Sequence, residues 1–164
     1  MIRHLDRLEA AIAWLARAWL VVMLAVVVAF TFGQALDRYA VHSQFNAHDQ
    51  IAKLALVWLG FVGFAVAIRD DATIRVDIID ARLPPRLRAV RDALFDLAML
   101  GLMALIQVKA WPVIEVGGNL RILGTPFTAA VTYAALAAGS ALAIVFLALR
   151  LLRRLRGVAT ATES

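Results

Sequence analysis

Between Arg17 and Asp37 the chain runs for 19 residues, Ala18 to Leu36, without a single charge. A helix of about 20 apolar residues crosses the ~30 Å hydrocarbon core of a bilayer. A second uncharged run, Leu54 to Ile68, is shorter, but Lys53 and Arg69 flank it and can snorkel to the two interfaces. Asn46 with Asp49 three residues on offers a helix start near Ala47. The third run, Ala93 to Ile114, is broken only by Asp96, Gln107 and Lys109. The fourth has no charge over the 28 residues from Ile122 to Leu149. There Thr125 and Pro126 supply an N-cap and a proline for the first helical position. Gly117, Gly118 and Asn119 mark a turn before it, over residues 115–125.

The spacing thus predicts an all-α integral membrane protein with four transmembrane helices, at about 18–37, 47–69, 92–114 and 126–150. Residues 1–156 form one membrane domain in this reading, and 157–164 form a disordered tail. Composition agrees: 63% of residues are apolar and 18% charged, against ~45–50% and ~25% in soluble domains. The first span is too long, and lacks a small-residue cleavage site, to read as a removed signal.

The net charge of +5 would point to nucleic acid in a soluble protein. Here the placement of the charges gives another account. Thirteen of the 17 Lys and Arg residues lie before the first span, between the second and third, or after the fourth. Only Arg38, Lys53, Lys109 and Arg121 fall on the other side. Positive charge concentrates in cytoplasmic segments, so both termini are expected in the cytoplasm. Trp14, Trp19, Tyr39 and Trp111 sit where an interfacial aromatic belt is expected, whereas Trp58 lies deeper and is expected to pack between helices. Residues 2–17 and 86–97 each carry an apolar stripe (Ile2, Leu5, Leu8, Ile12, Leu15; Leu87, Val90, Leu94, Leu97). Each is either an interfacial amphipathic helix or an extension of its neighbouring span.

Chemistry is sparse. Asp37, Asp49, Asp92, Asp96 and Glu115 all fall near predicted interfaces, where a proton or ion carrier needs a carboxylate deep in a span. Asp96 reads as an interfacial partner for a nearby arginine. His4, His42 and His48 lie outside the spans, which argues against a bundle-bound haem. With no cysteine, thiolate metal sites and disulfides are excluded. No metalloprotease, nucleophile-elbow or nucleotide-binding motif occurs. Asp70, Asp71, Asp77 and Asp80 share their loop with six arginines, so a neutralised loop is favoured over a cation site. No catalytic, cofactor-binding or metal-ligating residue is assigned, and no enzymatic activity or cofactor is expected. Small residues are abundant instead. Gly60 and Gly63 in the second span, and Gly139 among alanines in the fourth, allow close helix approach in lipid. With Trp58 they are the candidate packing or partner-interface residues.

The stretch Trp58-Leu59-Gly60-Phe61-Val62-Gly63-Phe64-Ala65-Val66-Ala67-Ile68-Arg69 leads into Ile74-Arg75-Val76-Asp77 and Leu83-Pro84-Pro85-Arg86. With Leu123-Gly124-Thr125-Pro126, Tyr133 and Gly139, this resembles the small membrane subunit (DctQ type) of tripartite ATP-independent periplasmic (TRAP) transporters. The chain departs from the family pattern at Thr73, where members often carry His, and at Ala138, where many carry Pro. The resemblance implies a non-catalytic scaffold in the bacterial inner membrane that braces a large multi-spanning transport subunit. It implies sodium-driven import of organic acids, C4-dicarboxylates or sialic acid among them, delivered by a periplasmic binding protein. In that setting Arg38, His42, His48, Asp49 and Lys53 form a polar outer segment that the binding protein can touch. Two other readings stand beside it: a free-standing four-helix channel or carrier, and a membrane anchor of a redox complex.

Overall fold

The computed structural model describes residues 2–41, 47–70 and 84–161. Four helices carry almost all of them: α1 (Ile2–Leu36), α2 (Ala47–Arg69), α3 (Pro85–Gly118) and α4 (Ala129–Ala161). A π-helical turn, Asp37–Val41, continues α1. Each of the four helices contains a stretch long and apolar enough to cross a membrane. The chain is therefore an all-α protein with four candidate spans.

Both amphipathic segments run straight into their spans. α1 begins at Ile2 and is 35 residues long, about 52 Å at 1.5 Å per residue. α3 begins at Pro85, after Pro84 in an extended conformation (φ −62°, ψ 150°). A proline at the first helical position has its φ preset and no N–H to lose. No break separates either segment from its span, because no residue there lacks helix-forming geometry. At the other terminus α4 continues to Ala161, past the point where the sequence suggests an unstructured tail.

The α3–α4 connection departs most from expectation. α3 extends through Gly118, and α4 starts at Ala129 rather than Pro126. The intervening residues make a small hairpin closed by a bridge between Arg121 and Thr128. Ile122 N–H donates to Phe127 C=O (3.0 Å), Ala129 N–H to Leu120 C=O (2.8 Å), and Thr125 N–H to Ile122 C=O (3.1 Å). Gly124, at φ 78°, takes the left-handed corner that this turn requires. The Thr125 hydroxyl donates to Ile122 C=O (3.1 Å) and accepts from Phe127 N–H (3.3 Å). It serves the hairpin and not a helix N-cap.

The helices pack in the order α1, α2, α4, α3, each mainly against its neighbour in that row. Small side chains fill the contacts: Ala13, Ala65 and Ala143 lie with Ile68, Met103, Phe146 and Leu147 in the main core. Ala16, Val62 and Val66 form a second cluster. Trp58 stands edge-on to Trp19 at 5.5 Å and 65°, while its indole N–H donates to Val131 C=O at 3.1 Å. Many other large apolar side chains point outward, as with Val21, Val28 and Phe32 on α1 and Leu94, Phe95 and Val108 on α3. That distribution suits a lipid solvent, where small residues at helix contacts and large ones outside are the favoured arrangement.

Candidate functional site: a charged clamp and an apolar cleft

One end of the bundle is tied together by charge. Glu9 on α1 is 6% exposed and accepts from two arginines on two other helices. Arg69 Nε of α2 reaches it at 3.1 Å, and Arg153 of α4 takes its second oxygen. Arg69 also donates to Asp70 (3.1 Å), which accepts from Arg17 of α1 at 2.7 Å. The Arg17 hydrogen bond holds the Asp70 carboxyl below its ordinary value; slight burial opposes this, and the positive charges of Arg17 and Arg69 add to it. Arg150 of α4 pairs with Asp96 of α3 at 3.4 Å and also donates to Ile68 C=O, at the last turn of α2. All four helices are thus joined in one band of charge at the level of the α2 C-terminus. A charge at this depth is costly unless paired, and here the pairs join different helices.

Away from that end the contacts are apolar and close. A Cβ placed on Gly139 would sit 2.6–2.7 Å from Phe61 Cβ, C and O, so α4 meets the α2 backbone there. Gly117 is the counterpart between α3 and α4, where an added Cβ would sit 2.6 Å from the Tyr133 ring and 2.9 Å from Ala130 N. The Ser140 hydroxyl donates to Gln107 Oε1 at 2.6 Å, with Ala137 C=O 3.2 Å away as a weaker shared acceptor, and the bond to Gln107 fixes the register of α4 on α3. Gly63 faces Leu20 of α1 at an ordinary 3.7 Å, and Gly60 has nothing within 4 Å. Gly60 opens into a cleft of about 380 Å³ between α2 and α3. Val57, Phe61 and Phe64 form one wall, Met103 and Ile106 the other, and Gly139 with Ser140 the floor.

The four residues singled out for packing therefore divide. Trp58, Gly63 and Gly139 face this chain's own helices, whereas Gly60 faces out of the bundle. Four of the five polar outer residues are described. Arg38 is exposed on the π-helical turn. His42 lies outside the described residues, as do Thr73 and the Ile74–Asp77 and Asp80 positions of the loop. His48 is half-buried, its ring 5.9 Å from that of Phe30 and stacked over Gly33. Asp49 and Lys53 pair with each other at 2.6 Å across one turn of α2. Asp96 is buried against Arg150, which is the arginine partner expected for it. No group of three potential metal ligands is found among the described residues.

Sequence reasoning missed Glu9, Arg153 and the Gln107–Ser140 bond. Each depends on contacts between helices far apart in the chain, for which spacing within one helix carries no signal. Gly117 was visible only as a turn residue.

Four apolar helices, clamped by ion pairs at one end and packed through glycine and alanine elsewhere, define a multi-pass membrane protein whose buried polar groups serve to join helices. The chain belongs to the DctQ component family of the tripartite ATP-independent periplasmic transporters, whose sequence profile matches residues 27–157. It is accordingly a TRAP small permease component, a multi-pass protein of the bacterial inner membrane. Among its relatives is the isethionate TRAP transporter permease protein DctMQ of Oleidesulfovibrio alaskensis, 31% identical over 99 residues, covering 57% of this chain and 15% of that protein. A Haemophilus influenzae protein assigned as a TRAP transporter small permease is 26% identical over 89 residues, covering 54% of this chain and 55% of that one. The sialic acid TRAP transporter permease protein SiaT of Haemophilus influenzae is 24% identical over 95 residues, covering 58% and 14%. The chain thus matches about half the length of one of these relatives and about a seventh of the other two.

Proposed function

We propose that this chain is a non-catalytic scaffold that braces a large transport subunit in an importer of organic acids, driven by sodium and fed by a periplasmic binding protein. The observation that carries this reading is where its polar groups go. Glu9, Asp70 and Asp96 are each engaged with arginines of neighbouring helices. These pairs join one helix of the bundle to another. A carrier would instead hold a carboxylate facing a solvent-filled route. The relatives DctMQ and SiaT support a permanent partner, because the matching segment is a small part of a much longer permease in each. The substrates named for those two proteins are theirs; for this chain the proposal extends to the class of organic anions.

Copurification tests the reading. The chain is expressed together with a candidate large TRAP permease subunit from its own genome, and the tagged small subunit is recovered from membranes. A stoichiometric multi-spanning partner is the expected result. Recovery of the chain alone, or as a homo-oligomer that conducts ions by itself, would replace the scaffold with the free-standing channel.

A further inference from the structure

Lys109 stands on the exposed side of α3, inside the segment that is long and apolar enough to span a membrane. Its depth follows from the helix register. Gln107, two residues before it, bonds Ser140 of α4, and the adjacent Gly139 packs on Phe61 of α2. Lys109 is therefore within a turn of the level of Gly60 and Phe61. Gly60 is seven residues from Lys53 and nine from Arg69, about 10 and 13 Å at 1.5 Å per residue. Lys109 itself is two residues, about 3 Å, nearer the Lys53 end than Gln107 is. This register corrects its grouping with the outer charges: it lies in the outer half of the span, just past mid-depth and short of the Lys53 level by more than a lysine stem extends in snorkelling. Among the described residues its ammonium has no ion pair or hydrogen bond. Lys109 also follows Ile106 by three residues, which puts it on the same side of α3 and at the rim of the cleft that Ile106 lines.

An apolar cleft with one uncompensated cation at its edge, near mid-depth in a bilayer, calls for an occupant that brings a negative charge to that depth. A charge at the bilayer centre costs several kcal/mol unless it is paired. A phospholipid supplies its phosphate at the interface and only methylenes here. A partner helix can supply a carboxylate at any depth. We propose that the α2–α3 cleft seats a helix of the large permease subunit, and that an Asp or Glu of that helix pairs with Lys109. This rests on the scaffold reading above and adds the surface and the chemistry of the contact. Gly60 lets that helix approach α2 closely.

The test uses the complete complex in membranes. A photo-crosslinking residue replaces Ile106 in one variant and Val21, exposed on α1, in another. Lys109→Glu, Lys109→Arg and Gly60→Leu are compared for recovery of the large subunit at matched levels of the small one. The expected result is a crosslink from position 106 to the large subunit, and about tenfold lower recovery with Lys109→Glu, as when one member of a desolvated charge pair is reversed. Gly60→Leu should lower recovery similarly, Lys109→Arg should retain the partner, and a carboxylate→Lys change in the crosslinked helix should restore binding to Lys109→Glu. Crosslinks from position 106 to phospholipid alone would overturn the proposal, as would full recovery with Lys109→Glu. Those outcomes leave the scaffold reading standing. Loss of the large subunit even with the wild-type chain would overturn that reading and this proposal together.

Discussion

At the scale of single residues, the charged clamp shows how side chains of one type differ in what they contribute. Glu9 is buried and serves two helices through Arg69 and Arg153. Asp70 is exposed and pairs with Arg17, whose side chain is also half in solvent. Exposed pairs contribute little, but Asp70 leaves a pH signature. Its carboxyl is held below the ordinary value by Arg17, so the folded state binds its proton later than the unfolded state as pH falls. Its contribution is fully present above the unfolded value, about 3.9, and is lost as pH falls through the lower folded value. We expect Asp70→Asn to be slightly less stable than wild type at pH 6, with the difference closing as the solution is acidified below about pH 4. Thermal unfolding in detergent across pH 2–7 measures this. A difference that stays constant into the acid limit would mean that Asp70 acts through packing and not through charge. Nothing in the sequence separates Glu9 from Asp70, because the distinction lies in which helices converge on each.

At the scale of elements, the glycines hold the lesson. Gly60, Gly63 and Gly139 all read as close-approach sites in the sequence, and small residues do predict such approach. What spacing cannot supply is the partner. Gly139 touches the α2 backbone at Phe61, whereas Gly60 looks into an open cleft. The two should respond oppositely to the same change. Gly139→Leu pushes a branched side chain into a backbone less than 3 Å away, where overpacking costs ~1–3 kcal/mol and the obstacle is not a flexible side chain. The isolated chain should unfold several degrees earlier or be degraded in membranes. Gly60→Leu should leave the isolated chain's unfolding temperature within about a degree, since surface changes away from special features stay within ±0.5 kcal/mol. Unfolding of the two variants without the large subunit decides it. Equal loss in both would mean that Gly60 also faces a helix of its own bundle. The same limit explains the α3–α4 hairpin. Gly124 and Thr125 were legible as turn or cap residues, but the choice between cap and hairpin depends on the Arg121–Thr128 pairing, which local sequence does not specify.

At the scale of the molecule, four apolar runs separated by charge were enough to read the helix count and class, because length and charge exclusion act on each span separately. The row order α1, α2, α4, α3 was not legible, since it follows from contacts such as Arg150 with Ile68 and Gln107 with Ser140. The row does gather the arginines physically. Arg17, Arg69, Arg150 and Arg153 meet at one end, and by sequence thirteen of the 17 basic residues belong to that side. Moving such a cluster across the membrane would mean desolvating several charges, whereas retaining it in the cytoplasm is what the charge bias of inner-membrane proteins records. We therefore expect the clamp end, with both termini, to be cytoplasmic and the hairpin to be periplasmic. Leu123 at the hairpin tip is 85% exposed, so an insertion there disturbs little packing. A reporter active only in the periplasm should work when placed at Leu123 and fail when appended after Ser164; a cytoplasmic reporter should do the reverse. The inverted pattern would place the arginine clamp outside. It would also remove the basis for reading Arg38, His42 and Lys53 as reachable by a periplasmic binding protein. The α2–α3 cleft lies at mid-depth in either orientation, so its seat for a partner helix does not depend on the outcome.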